Sequence, residues 1–367
     1  MIQAVELKNF KAIKKHRFHL GNLNIMLGLN GMGKSTFIQS LLLLRQSENL
    51  SRGELRLNGN LVEIGKGGDA FYQYSKEDKM TFNISFSNKK QKIFEFVYEK
   101  DADYFKTMPI ELTDSAFFQE SLFLNKFQYL SASRIDPKVI HDKSYKMVVD
   151  LHNVGEHGQY TAHFLHTYGN DDITFKNLKH SNADTLLLKE QVNRWMGEIS
   201  TGVKFNTTEI SNSDNILLDM QFIQPNLGFT GKFRPTNVGF GISYALPVVT
   251  ALLAAKPGEL IIIENPESHI HPRGQAELGK LMARVAMNDV QLIVETHSDH
   301  ILNGIRVAVK EREVTEDRLR LFYFERKIED TEQYSKITNI EIDKNGELSS
   351  YPKNLLDEWS NQLLKLV

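Results

Sequence analysis

Gly28-Leu29-Asn30-Gly31-Met32-Gly33-Lys34-Ser35-Thr36 matches the pattern G-x-x-x-x-G-K-[ST]. Glycines in such a loop let backbone N–H groups converge on phosphate oxygens with no side chain in the way. The apolar run Leu23–Leu27 in front of it predicts a strand. Lys34–Gln46 behind it predicts a helix, with Phe37, Ile38, Leu41, Leu42 and Leu44 on one face. The helix directs its partly positive N-terminus at the same anion. Lys34 is then placed to reach the β and γ phosphates of a nucleotide, and Ser35 to bind Mg²⁺. Asn30, Gly31, Gly33 and Thr36 complete the phosphate-binding set. The competing reading, a chance glycine turn, does not account for the strand before and the helix after.

The second half of the chain supplies what such a loop needs. Leu260-Ile261-Ile262-Ile263-Glu264 is a short apolar strand ending in a carboxylate, which is placed to hold Mg²⁺ through water as a Walker B acid does. Asn265-Pro266-Glu267-Ser268-His269-Ile270-His271-Pro272 follows, and Glu267 is placed to polarise an attacking water. A zinc reading of His269-x-His271 fails for want of further ligands, since the chain holds no cysteine. Val290–Val294 predicts another buried strand, and Glu295-Thr296-His297-Ser298 after it puts His297 where a γ-phosphate can be sensed. Ser298 also reads as a helix cap. Asn237-Val238-Gly239-Phe240-Gly241-Ile242-Ser243 is a second small-residue turn before a helix, expected over Ile242–Ala254. A nucleotide with one phosphate loop already has its cradle, so a second one suggests that one copy closes on the nucleotide of another. Helices over Arg273–Ala286 and Asp299–Lys310 alternate with these short apolar strands, which predicts a parallel sheet covered on both faces.

Elsewhere the patterns are weaker. Ile2–Leu7, Ile13–Leu20, Met80–Ser87, Ile93–Tyr98, Phe127–Ala132, Ile216–Ile223 and Arg320–Phe324 read as strands. Ala183–Met196 has helical spacing, Lys344-Asn345-Gly346 marks a turn, and Leu355–Leu366 reads as a last amphipathic helix. Over 367 residues, 41% hydrophobic and 25% charged, the composition is that of a globular protein. A net charge of -2 excludes a heavily basic nucleic-acid coat. The absence of cysteine removes disulfides, Cys-zinc sites and thiol nucleophiles. The longest apolar stretch, Ala245–Ala255, falls short of the ~20 residues a membrane span needs, and the charged, alternating N-terminus is not a signal peptide. A cytoplasmic protein without a membrane partner is expected.

The motifs in this order resemble the ABC-type ATPases of the SMC, Rad50 and OLD group. They resemble more closely the AAA15 branch whose C-terminus is a DUF3696 domain. Supporting segments are Leu7-Lys8-Asn9-Phe10-Lys11, Tyr129-Leu130-Ser131-Ala132-Ser133-Arg134, Asn237–Pro247, Glu264–Pro272, Glu295–Asn303 and Asp343–Pro352, so the resemblance runs almost end to end. It implies an α/β fold: a P-loop ABC-type ATPase head with a parallel core sheet, a β-rich N-terminal lobe and a helical/strand middle insertion. The division it suggests is residues 1–50 and 127–345 for the core, 51–126 for the β-rich lobe, 142–235 for the inserted region and 336–367 for a DUF3696-like tail. It further implies a homodimer, or a higher homo-oligomer, closed head-to-tail around two ATP molecules. Gly28–Thr36 and Glu264 of one subunit would bind ATP and Mg²⁺, Gly241 and Ser243 of the other would cap the γ-phosphate in trans, and His297 would be the switch histidine. Arg134 is open between a nucleotide contact and an ion pair. A Q-loop glutamine belongs to the pattern, and several between residues 50 and 130 qualify.

One departure shapes the expected activity. Where such heads carry a second carboxylate after the Walker B acid, this chain has Asn265. An amide orients water but cannot take its proton, which leaves Glu267 as the candidate base. Slow hydrolysis suited to a switch is therefore expected. Too few residues follow Ser298 for an attached nuclease domain of on the order of 100 residues. The leading expectation is an ATP-gated subunit that controls a separate effector protein in anti-phage defence. The alternative is a DNA-associated scaffold or repair ATPase, with Lys8, Lys11, Lys14, Lys15 and Arg17 meeting a phosphate backbone. A small-molecule kinase is a third reading with no second-substrate pocket to support it.

Overall fold

The computed structural model describes residues 1–47, 50–107, 117–224, 226–356 and 362–366. The chain divides into two compact units, Met1–Leu124 with Leu319–Glu341 and Leu348–Val367, and Asn125–Arg318 with Ile342–Glu347. Residues 357–361 of the helix expected at Leu355–Leu366 lie outside the described residues.

The first unit contains β1 (Ile2–Phe10), β2 (Ile13–His19), β3 (Leu23–Gly28), α1 (Lys34–Gln46), β4 (Glu54–Arg56), α2 (Gly67–Ala70), β5 (Lys79–Phe86), β6 (Gln91–Val97), β7 (Tyr104–Lys106), β15 (Leu319–Ile328) and β16 (Gln333–Ile340). Strands β2-β1-β5-β6 form an antiparallel sheet. Every second residue of β5 is buried, the period that puts one face on a core. That face is aromatic: Phe82 packs edge-on against Phe10 at 5.1 Å and against Phe96 at 5.5 Å, and Phe117 contacts Phe86 and Phe94. Beside it, β15 pairs in parallel with β3 and antiparallel with β16, setting Phe324 opposite Gly28.

The second unit contains β8 (Phe127–Leu130), β9 (Ile140–Asp142), α3 (Thr161–Tyr168), α4 (Leu188–Ile199), β10 (Val203–Glu209), β11 (Asn215–Gln224), β12 (Gly228–Phe229), α5 (Phe240–Leu253), β13 (Glu259–Glu264), α6 (Pro272–Ala286), β14 (Val290–Glu295) and α7 (Asp299–Lys310). Strands β8, β13 and β14 pair in parallel, with Glu264 level with Glu295. Their near-continuous apolar sequences follow from burial on both faces. Helices α6 and α7 approach closely enough that a Cβ on Gly279 would sit 2.4 Å from the Ile301 carbonyl oxygen, and one on Gly304 2.1 Å from that of Ala276. Strands β9 and β10 flank β11 in a separate antiparallel sheet. The protein is thus α/β, with parallel pairs among the buried strands and antiparallel pairs around them. No described helix is long and apolar enough to cross a membrane.

The helix expected from Ala183 begins instead at Leu188. Residues 184–187 are held as a loop. The Glu190 carboxylate accepts from the Asp184 and Thr185 N–H groups at 2.9 and 2.8 Å, and Leu187 bridges Asp172. Local side-chain bonds outcompete the helix there.

Glu259 opens β13 in an apolar setting, 5% exposed, and burial pushes its carboxyl up to about 7. In the unfolded chain it titrates near the ordinary value of about 4.3. The native state therefore holds the extra proton between those values, and stability falls as pH rises from about 4.5 to 7. Glu259→Gln is expected to raise the melting temperature at pH 8, by a free energy on the order of 3 kcal/mol, and to leave it nearly unchanged at pH 4.5. Melting curves at both pH values check this; equal shifts at the two would refute it.

Candidate functional site

In the first unit the glycine loop lies between buried β3 and buried α1. Gly28, Gly31 and Gly33 have φ of 134°, 75° and 98°, a region that favours glycine. Two of them also lack space: a Cβ on Gly28 would lie 2.3 Å from the Phe324 carbonyl oxygen, and one on Gly33 2.3 Å from Ser335 Oγ. Gly33 at the start of α1 provides no side-chain cap, and the first turn holds no acidic residue, so the helix start suits an anion. Lys34 is buried, and its Nζ donates to the Gly28 and Leu29 carbonyl oxygens, both at 2.9 Å. Asn30, Gly31 and Ser35 are exposed, while Thr36 is buried.

A groove of about 320 Å³ adjoins the loop, bordered by Lys11, Gly31, Tyr72, Arg326, Tyr334 and Ser335. Lys11 takes a φ of 49°, and its N–H donates to the Ala70 carbonyl at 2.8 Å. Its Nζ donates to Gln39 Oε1 at 2.8 Å, and burial lowers its pKa. Ser335 of β16 donates its hydroxyl to the Met32 carbonyl at 2.7 Å and its N–H to the Ala12 carbonyl at 2.8 Å. Arg326 reaches the Gly31 carbonyl at 3.4 Å. Sequence reading does not single out Arg326 or Ser335. Nothing local marks them, and only the β3–β15–β16 pairing brings them to the loop.

The second unit gathers Glu264, Asn265, Glu267 and His297 at the ends of β13 and β14. Glu264 accepts from the Ala132 N–H at 3.2 Å, and burial raises its pKa against the pull of that bond, Tyr129 and Arg134. Asn265 has a φ of 43°, its N–H donates to the Glu295 carbonyl at 2.8 Å, and its Oδ1 is buried without a partner. A buried orphan acceptor at a strand end is a place for a donor from outside the chain, such as water. Glu267 accepts from Thr296 Oγ1 at 2.7 Å and from the His297 N–H at 2.8 Å, which ties the two strand-end loops together. The His297 side chain is exposed.

Arg134, open between two readings in the sequence, has a third role in the structure. It is buried and donates to the backbone carbonyls of Glu264 at 2.6 Å and Asn265 at 3.1 Å. It clamps the turn that carries the carboxylate. Burial brings its pKa down to about 10, opposed by Glu267 and Glu264, so it stays charged at neutral pH.

At the start of α5, Asn237, Gly239 and Phe240 are exposed. Gly241 instead faces inward, where a Cβ would lie 2.1 Å from the His269 carbonyl oxygen, so its identity is explained by packing. The Ser243 hydroxyl is buried without a partner and borders a small cavity near Thr161 and Pro247. Pro247, inside the same helix, has no N–H to give the Ser243 carbonyl.

The N-terminal cations are largely committed within their own unit. Lys8 pairs with Glu77 at 2.6 Å, Lys14 with Glu332, and Lys15 and Arg17 with Glu6 at 3.5 Å.

Residues 23–303 match the family described as "AAA domain, putative AbiEii toxin, Type IV TA system". Residues 314–366 match "Protein of unknown function (DUF3696)". Among solved structures, the chain is similar to an SMC head bound to the C-terminal winged-helix domain of ScpA. The TM-score there is 0.58 at 15% identity, covering 94% of this chain and 98% of that one. It is also similar to an SMC head domain with an extended coiled coil, bound to the C-terminal domain of ScpA, from Pyrococcus furiosus. There the TM-score is 0.53 at 13% identity, covering 100% and 99%. No curated protein matches the chain. At these identities the structural likeness establishes the fold, an ABC-type ATPase head, and nothing finer.

Proposed function

We propose a function from one premise: the chain belongs to the family described as "AAA domain, putative AbiEii toxin, Type IV TA system". Within it we place the chain in the AAA15 branch with a DUF3696-type C-terminus. Its activity is to bind ATP with Mg²⁺ and hydrolyse it slowly, as a cytoplasmic switch that dimerises and controls a separate effector in anti-phage defence. The glycine loop carries the reading: an uncapped, acid-free helix start behind three positive-φ glycines, with Lys34 held at its mouth. When bound, Mg²⁺ would neutralise phosphate charge. Ser35 and Glu264 would hold it, Glu264 as a carboxylate whose charge burial disfavours and Mg²⁺ would favour.

In the hydrolytic step Glu267 takes the proton of the attacking water, Asn265 orients that water through its unpartnered Oδ1, and His297 senses the γ-phosphate. Glu267 accepts two hydrogen bonds, from Thr296 Oγ1 and the His297 N–H, which fix its carboxylate beside the strand-end histidine. In the dimer, α5 of the second copy faces the nucleotide. Its exposed start supplies backbone N–H groups at Gly239 to Gly241, and the Ser243 hydroxyl joins them only after turning out of its buried site. The defence role is supported by the family's description, which names a toxin of a toxin–antitoxin system. The DNA-scaffold alternative has less support, because Lys8, Lys14, Lys15 and Arg17 are paired with carboxylates and Lys11 is bonded to Gln39.

The mass in solution without nucleotide, with ATP and with ADP, measured beside the hydrolysis rate, tests this. A monomer that dimerises with ATP and turns over slowly is expected. An assembly whose mass ignores nucleotide would remove the gating step.

A further inference from the structure

The sheet of β9, β10 and β11 has an open side. Strand β10 pairs with β11 along its whole length, Val203 with Phe222 through to Glu209 with Ile216. In an antiparallel pair, alternate residues turn their N–H and C=O groups away from the partner strand. Three bonds identify which ones. The Phe205 N–H donates to Asn193 Oδ1, and opposite it the Met220 N–H donates to the Phe233 carbonyl. The Leu218 N–H, opposite Thr207, donates to the Val139 carbonyl. Val203, Phe205, Thr207 and Glu209 therefore direct their backbone groups outward from the sheet. The Thr207 and Glu209 N–H groups have no partner among the described residues.

This edge borders a groove of about 590 Å³ lined by consecutive residues of β10 together with α3 and α4. Its apolar patch is open to solvent: Ile223 is 50% exposed and Phe229 46%. Its charged rim is mostly basic, with Lys189, Arg194 and Lys204 against Glu190, and the His166 ring 3.8 Å from the Glu209 carboxylate. Glu190 is occupied by the loop at 184–185. Arg194 meets Glu190 and Asp184 only at 3.8 and 4.0 Å, and Lys204 lies 4.4 Å over the Phe229 ring with no carboxylate among the described residues.

The geometry points to a docking site in which an extended, acidic segment of another protein adds as a strand to the free edge of β10. The open N–H groups of Thr207 and Glu209, at strand spacing, match a peptide backbone, while those of Val203 and Phe205 are held by the Ser200 carbonyl and Asn193; the cations and Phe229 select acidic side chains alternating with apolar ones. A nucleic acid would use the cations and the ring but leave the edge unpaired. The site is independent of the nucleotide reading, since β10 takes no part in it.

The probe is a labelled peptide of about six alternating valine and glutamate residues, the usual length of a strand, read by fluorescence anisotropy on the full chain. Three comparison probes are used: the same peptide N-methylated along one edge, the valine–lysine version, and a thymidine oligonucleotide of similar length. The acidic peptide is expected to bind, with each comparison at least about ten-fold weaker. Thr207→Pro removes an outward N–H while leaving the β10–β11 ladder whole, and is expected to weaken binding at least about ten-fold with ATP binding unchanged. Lys204→Glu is expected to weaken the acidic peptide and strengthen the lysine one, and it decides the matter if Thr207→Pro melts early. No binding of the acidic peptide, equal binding of the lysine or N-methylated peptide, or tighter binding of the oligonucleotide would each overturn the proposal.

Discussion

Lys34→Ala is expected to abolish measurable ATP binding while the chain stays folded. Lys34 Nζ donates to two loop carbonyls, at Gly28 and Leu29, and is almost wholly buried. In the nucleotide complex it would exchange these for phosphate oxygens, where hydrogen bonds to a charged group contribute about 1.5–3 kcal/mol each. Losing two such bonds costs roughly 3–6 kcal/mol, or about 10²–10⁴ in affinity. The penalty in the free chain is smaller, because water can reach loop carbonyls at an exposed mouth. Titration with a fluorescent ATP analogue, alongside a melting curve, separates the two effects. Affinity within about ten-fold of the parent chain would take Lys34 out of the phosphate site.

Glu267→Gln is expected to keep ATP binding and lower turnover by about 10²–10⁴, the range for losing a general base. The substitution suits its surroundings. A glutamine oxygen can accept from the His297 N–H while its amide donates to Thr296 Oγ1, whose hydroxyl can turn to accept. The tie between the strand-end loops is kept and only the proton acceptor is lost. Single-turnover hydrolysis measured at saturating ATP checks this. An unchanged rate would move the base elsewhere, and loss of ATP binding would mean that Glu267 acts mainly through the position of His297.

The parts legible in the sequence are those whose signals are local. The glycine loop, the helix at Lys34–Gln46 and the strand ends at Glu264 and Glu295 all follow from short apolar runs next to polar or glycine punctuation. The supports of the site are not local. Ser335 and Arg326 reach the loop only through strand pairing, and Arg134 acts on backbone carbonyls, which leave no mark in side-chain patterns. Gly241 shows the opposite difficulty. A small residue at a helix start looks like an anion cradle, yet the His269 carbonyl behind it is sufficient reason for glycine. Strand β10, Val203-Lys204-Phe205-Asn206-Thr207-Thr208-Glu209, is too polar at its end to stand out, and its importance lies in an edge that only topology reveals.

The bond from Ser335 to the Met32 carbonyl spans 303 positions of the chain. A ribosome makes the glycine loop early and its brace late. Until residue 335 has been synthesised and β16 has joined β15, Gly33 has no hydroxyl behind it and Met32 has no donor. The loop can take its final shape only after residue 335 has been made and has paired. A truncated product, released early, would carry the phosphate-loop motif without the strand that braces it.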